Sequence, residues 1–183
     1  MPSIASAYGL IPVNHPSGVV RPFAMTCASG YAADIFQNQP VKIAANGTIV
    51  VAAAGDTFIG TFQGVEFTDS DGRRRVSNKW TTGTVATEIV TYVTIDQTIT
   101  YQIQSNATLA VADIGSQYDF SAAGGNATTG LSTQSLNVSS SAANAGLRLI
   151  GIVTGPDNNF GDNFVNALVQ ISEHQNTANV AAY

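Results

Sequence analysis

Charge is what this chain has least of. Only 10% of its 183 residues are charged, against about 25% in an ordinary soluble domain. Lysine and glutamate shrink to Lys42, Lys79, Glu66, Glu88 and Glu173. Without long charged side chains to solvate them, extended surface helices are disfavoured, and the abundant Thr, Ser, Asn and Gly favour strands and turns. Partners can also cover such a surface without desolvating many ions. The net charge of −5 lacks the basic footprint that phosphate recognition requires, so nucleic acid is not an expected partner. Cysteine is limited to Cys27, which rules out an internal disulfide framework. Its surroundings, AMTCAS, read as a small-residue strand with the thiol as a buried apolar filler. Histidine is limited to His15 and His174, near the two ends. Neither is placed to complete a Ser-His-Asp arrangement or to activate Cys27.

No targeting signal is expected either. A secretory leader needs a basic start and an unbroken apolar stretch, yet the first cation is Arg21 and prolines interrupt every candidate. No window approaches the roughly 18 apolar residues of a bilayer span, so the expectation is a soluble protein made in a cytoplasm, with no membrane partner. No apolar 3.6-residue period runs beyond about two turns, which leaves room only for short helices, for example around Tyr31 to Phe36.

What the chain does have begins at its N-terminus, MPSIASAYGLIPVNHPSGVVRPFA. Pro2, Pro12, Pro16 and Pro22 each remove a backbone donor and hold the preceding residue extended. Residues 1–24 therefore read as an extended arm outside a β domain of residues 25–172, whose core begins near Met25. Ile4, Tyr8, Leu10, Ile11, Val13, Val19, Val20 and Phe23 give the arm large side chains that are wasted in water and are expected to dock on another surface.

The domain then reads as short strands. Val41 and Ile43, the Asn46-Gly47 dipeptide, and Ile49 and Val51 signal a hairpin. FIGTFQGVEF has glycines between large residues on both parities, the mark of a doubly buried strand or a bulge. In EIVTYVTIDQTITYQIQ, Ile89, Val93, Ile95, Ile99, Tyr101 and Ile103 share one parity, with Thr and Gln on the other and a break near Asp96 to Thr98. Residues 121–146 are a low-complexity run read as a long surface excursion. LRLIGIV and FVNALVQIS supply two more strands, and residues 173–183 form a C-terminal tail. Eight to ten such strands predict an all-β protein, a compact barrel or sandwich.

Chemistry is sparse. The DSDG at 69–72 fails as a calcium loop, since Phe67 and Asn78 stand where its end ligands belong. Asp157, Asn159 and Asp162 match no metal spacing and suit a turn. Glu66, Asp69 and Asp71 crowd one hairpin end rather than flanking a cleft. Asn46, Asn106, Asn126 and Asn137 head N-x-S/T sequons, of which about two or three are expected by chance in a chain this rich in Ser and Thr. No catalytic, cofactor or metal residues are assigned. Arg73, Arg74 and Arg75 read equally as a docking contact for an acidic partner or as a solvated hairpin tip, and Trp80 as core or interface anchor, with core favoured.

SAYGLIPVNHPSG, followed by PVKIAANGTI, FIGTFQGVEF, the GT-x-A-x-x-x-x-x-Y-V stretch at 83–93 and YQIQSNATLAVADIGSQYDF, resembles the head decoration, or cement, proteins of tailed bacteriophages; TGLSTQSLNVSS, LRLIGIVTGPDN and NALVQISEH are similar to the same group. The resemblance implies a non-enzymatic β-rich protein on the outer surface of the virion, bound to the major capsid protein and to itself as a homotrimer near three-fold positions. Tyr8, Leu10, Ile11, Val13 and Arg73 to Arg75 are then the expected capsid-interface residues. A clamp that binds the expanded shell stabilises that state, and multivalency multiplies a small contribution per copy. The alternatives are another virion component such as a tail or fibre protein, a surface-layer protein, or, ranked last, a glycan-degrading enzyme. Repeats or a coiled coil would favour a fibre, and neither is visible.

Overall fold

The computed structural model describes residues 4–142 and 144–177. Its strands, in chain order, are β1 (Ile11–Asn14), β2 (Phe23–Met25), β3 (Pro40–Ile43), β4 (Ile49–Val51), β5 (Gly60–Asp69), β6 (Arg74–Ser77) and β7 (Ala86–Thr94). There follow β8 (Thr100–Gln104), β9 (Gln117–Phe120), β10 (Gly125–Asn126), β11 (Leu131–Ser132), β12 (Leu136–Asn137), β13 (Leu147–Ile152) and β14 (Asn166–Ile171). Helix is confined, among the described residues, to single 3₁₀ turns at Val111–Asp113 and Val138–Ser140.

One sheet has the order β1-β8-β14-β13-β9-β12; the other has β2-β7-β5-β3-β4, with β6 also paired to β5. The ladders are antiparallel. The fold is therefore all-β and sandwich-like, and its sheets do not close into a barrel. The long alternating stretch explains how two sheets arise from one pattern. Ile89, Val93 and Ile95 pack in the cluster on the second sheet, while Ile99, Tyr101 and Ile103 pack in the cluster on the first. The break at Asp96 to Thr98 is where the chain changes sheet, so a single parity feeds two cores.

The first core gathers Leu10, Tyr101, Ile103, Phe120, Leu147 and Val169, with Phe58 edge-on to Phe120 at 5.4 Å. The second gathers Ile35, Val41, Phe62, Val65, Trp80 and Val93, with Phe67 edge-on to Trp80 at 5.4 Å. A register slip between Phe62 and Gly64 lets Phe62 and Val65 reach the same core. A buried polar seam joins the sheets: the Thr61 and Thr94 hydroxyls lie 2.9 Å apart, and Thr94 meets the Tyr101 hydroxyl at 3.1 Å. Gly60 is required at this seam, because a Cβ there would sit 1.5 Å from the Thr94 carbonyl oxygen.

Tyr31 to Phe36 is not helical. So short a segment cannot nucleate a helix unaided, and Ile35 instead exchanges backbone hydrogen bonds with Trp80 at 2.8 and 3.0 Å, closing over the second core. The 121–146 excursion is partly built in as well: Ser132, Gln134 and Leu136 are buried, and Leu131 bridges to Gln37. Of the tail, residues 173–177 exchange backbone hydrogen bonds with Phe58 and dock on the second sheet through both amide atoms of Gln175 on Ile43; residues 178–183 lie outside the described residues. No helix among the described residues is long and apolar enough to cross a membrane.

Candidate docking surface

The N-terminal segment is held along its length by amides of the first sheet. Ser6 N donates to Gln104 Oε1 at 2.7 Å, and Gln104 Nε2 donates back to the Ile4 carbonyl at 3.1 Å. The Tyr8 hydroxyl donates to Asn166 Oδ1 and accepts from Gln102 Nε2, both at 2.7 Å. Burial pushes the Tyr8 pKa up, against the opposing effect of the Gln102 bond. Gly9, at φ 81°, passes so close to Asn38 and Ser132 that a Cβ would meet the Asn38 carbonyl oxygen at 2.5 Å. Leu10 follows, 0% exposed in the first core.

Residues 7–14 are thus part of the fold rather than a segment standing off it. Ile11 and Val13 lie on β1, which pairs with β8 from Ile11 opposite Gln102 to Asn14 opposite Thr100. Of the four interface residues expected here, Leu10 has its side chain enclosed by the chain's own core and cannot reach a partner. Tyr8 and Ile11 are half-buried, and Val13 is exposed. The core therefore begins before Met25, because Leu10 fills it from the far side of the prolines.

Beyond β1, His15 Nε2 lies 3.2 Å from Asp96 Oδ2, and its Nδ1 lies 2.6 Å from the Ser17 hydroxyl. The Asp96 carboxyl is held below its ordinary pKa by the Thr98 hydroxyl and amide, with His15 adding to them. This tie anchors the connection from β1 to β2, while Val20 packs against the first core. Four large apolar side chains remain in water along this path: Ile4, Val13, Val19 and Phe23, the last 58% exposed on edge strand β2.

Arg73, Arg74 and Arg75 sit on the other sheet, at the β5–β6 hairpin, and are not brought together with Tyr8 to Val13. Each faces an acid of its own chain. Arg74 meets Glu66 at 3.1 Å and Glu88 at 3.8 Å, Arg75 meets Asp69 at 3.0 Å and Asp71 at 3.3 Å, and Arg73 meets Asp71 at 3.6 Å. Three cations against four anions leave no positive patch. Glu66 also accepts from the Tyr92 hydroxyl at 2.9 Å, a bond that raises the Tyr92 pKa. The DSDG segment is the hairpin turn itself, closed by Gly72 N donating to the Asp69 carbonyl at 2.9 Å.

Other sequence candidates resolve into structure. Trp80 is enclosed in the second core. Cys27 is buried there too, with its thiol pKa pushed up to about 12 by desolvation, which suppresses thiolate chemistry. In the 155–163 loop, Asn158 bridges the carbonyls of Val153 and Asn166, and Asp162 accepts from Asn159 N. Among the described residues no three His, Cys, Asp or Glu side chains gather as a metal-ligand set. Sequence reasoning missed the residues that hold the N-terminal segment, Gln102, Gln104 and Asn166. Their one signal was two glutamines at i and i+2 on the polar parity of β8, a face that residues 4–8 cover in part.

The chain matches no protein-family model, no curated protein and no solved structure.

Proposed function

We propose that this chain is a head decoration, or cement, protein of a tailed bacteriophage. It is a non-enzymatic protein that binds, as a homotrimer, to the outside of the capsid and clamps neighbouring major capsid protein subunits. Beside the sequence resemblance stands one observation: Ile4, Val13, Val19 and Phe23 are exposed on a backbone already fixed by Tyr8, Leu10, β1 and the His15–Asp96 contact. Apolar side chains on a preordered backbone avoid most of the entropy that a free arm loses on binding, roughly 1–2 kcal/mol per residue of backbone. The extended N-terminal segment acts as the interface through these outward residues, while its inward residues hold it in place. The arginines are neutralised within the chain, so attachment is carried by shape and apolar contact rather than by charge.

The test is co-sedimentation of the purified chain with expanded capsids that lack it. Saturation at about the copy number of the major capsid protein is expected on this reading, with little release on going from low to molar salt. Val19→Asp with Phe23→Asp should abolish pelleting while leaving the circular dichroism spectrum unchanged. Pelleting of this double variant at the original level, or no pelleting of the original chain, would overturn the proposal. Light scattering should give three times 19.0 kDa; a monomer both free and on the shell would remove the trimer from it.

A further inference from the structure

A cleft of about 640 Å³ opens between residues 5–8, the Gln104 to Asn106 turn after β8, the 126–135 part of the excursion, and Phe164 just before β14. Its size suits a small ligand, and no residue lining it is charged. The polar groups are hydroxyls and primary amides, which both donate and accept; the large apolar groups are Leu131 and Phe164. Two details set it apart from an incidental groove. Asn126 uses its Oδ1 to accept from Thr128 N and Thr129 N, at 2.9 and 3.2 Å, which fixes the amide and leaves Nδ2 as a donor. Phe164 has φ 58°, a left-handed conformation that is costly for a bulky aromatic residue and that glycine adopts freely. The chain keeps a ring at this position in spite of its backbone.

We propose that this cleft binds a neutral oligosaccharide of two or three units. The Phe164 ring stacks on the C–H face of a sugar, and Asn126, Ser6 and Ser135 exchange hydrogen bonds with its hydroxyls. A charged ligand would enter without a counter-charge and lose its hydration uncompensated. A purely apolar one would strip water from the amides and hydroxyls and leave them unpaired. A sugar has both a dry face and a rim of uncharged hydroxyls, which is the complement of this lining. With no carboxylate in the lining, the acid and base of glycoside hydrolysis are absent, so the sugar is held and not cleaved. The site goes beyond the capsid reading and stands without it, since it belongs to the chain alone.

The full chain is titrated by ¹⁵N-edited NMR and calorimetry with maltotriose, cellotriose and triacetylchitotriose, and with trigalacturonate as the charged counterpart. At least one neutral trisaccharide is expected to bind with a dissociation constant on the order of 1 mM or tighter, shifting amides around Phe164 and Asn126, and trigalacturonate at least about tenfold more weakly. Phe164→Gly relieves the left-handed backbone, so it should stay folded and lose about tenfold in affinity. Phe164→Leu, which keeps the local bulk, and Asn126→Asp, which keeps the oxygen that accepts from Thr128 N and Thr129 N while removing the Nδ2 donor, carry the same test if the glycine variant does not fold. The proposal is overturned if no neutral probe shifts those amides at about 10 mM, if trigalacturonate binds equally well, if the folded variants bind like the original chain, or if chromatography shows a bound trisaccharide shortened.

Discussion

Replacing Leu10 with Ala separates a segment that belongs to the fold from one that only leans on it. Leu10 is fully enclosed among Tyr101, Ile103 and their neighbours, so truncating it leaves a cavity in the first core at about 2–5 kcal/mol. For a chain of 183 residues each kcal/mol moves the melting midpoint by about 2–4 °C, and the fall should be roughly 4–20 °C. Val13→Ala, three residues on and exposed, should stay within about 0.5 kcal/mol. Tyr8→Phe removes two hydrogen bonds and leaves Asn166 Oδ1 without its donor, a loss of about 1–2 kcal/mol. Urea unfolding followed by fluorescence is the assay, because Trp80, the sole tryptophan, lies in the second core while Leu10 lies in the first. A common shift by Trp80 fluorescence and far-ultraviolet circular dichroism shows the cores unfolding as one unit. Unchanged midpoints for Leu10→Ala, or for deletion of residues 1–10, would refute the reasoning and return the segment to the status of a detachable arm.

The prolines are what hid this packing. They read as barring residues 1–24 from a sheet, yet Pro12 sits in β1 opposite Tyr101, where β1 is an edge and needs partners on one side only. The sequence could be read where a pattern was local. Asn46-Gly47 does join β3 to β4, with Gly47 at φ 80°, and the parity running from Ile89 to Ile103 does mark core-facing positions, with Val93, Ile99, Tyr101 and Ile103 buried and Ile89 and Ile95 half-buried. It was silent where a pattern needed a distant partner. Nothing near Gln102 and Gln104 announces that residues 4–8 will cover them, and nothing in the low-complexity excursion announces that Gln134 will receive Gly9 N at 3.1 Å. The arginine hairpin lay between these cases. Its acids, Glu66, Asp69 and Asp71, were visible as neighbours, but pairing them with Arg74 and Arg75 needed the antiparallel register that sets Glu66 opposite Val76 and Thr68 opposite Arg74. Leu10 was legible as a side chain that must be buried, though not as one that its own chain would bury.

Gly60→Ala should destabilise by about 3 kcal/mol or more, since neither the left-handed backbone nor the Thr94 carbonyl can give way without opening the seam between the sheets; a thermal melt within 2–3 °C of the original, less than about 1 kcal/mol, would show the seam to be soft. Arg74→Ala, by contrast, removes two surface ion pairs, to Glu66 and Glu88, and should cost less than about 1 kcal/mol, shrinking further in high salt. His174 makes stability depend on pH. Its ring is buried beside Phe58, with Nδ1 accepting from Asn176 N at 3.1 Å. Burial holds its pKa below the ordinary value, outweighing the Ile59 and Ile95 carbonyls and the Asp96 charge, all of which favour the proton. In the unfolded chain the ring titrates near its usual value of about 6.5. Between the lowered value and about 6.5 the unfolded state binds more protons, so the contribution is complete above that window and is lost as pH falls through it. His174→Gln should flatten the decline in melting midpoint between about pH 7 and pH 5. Subtracting its curve removes what the rest of the chain contributes, including the depressed Asp96, whose own loss comes in a lower, acidic window. If the two curves run parallel, the ring takes up its proton without loosening the tail, and the docking of residues 173–177 does not depend on a neutral His174.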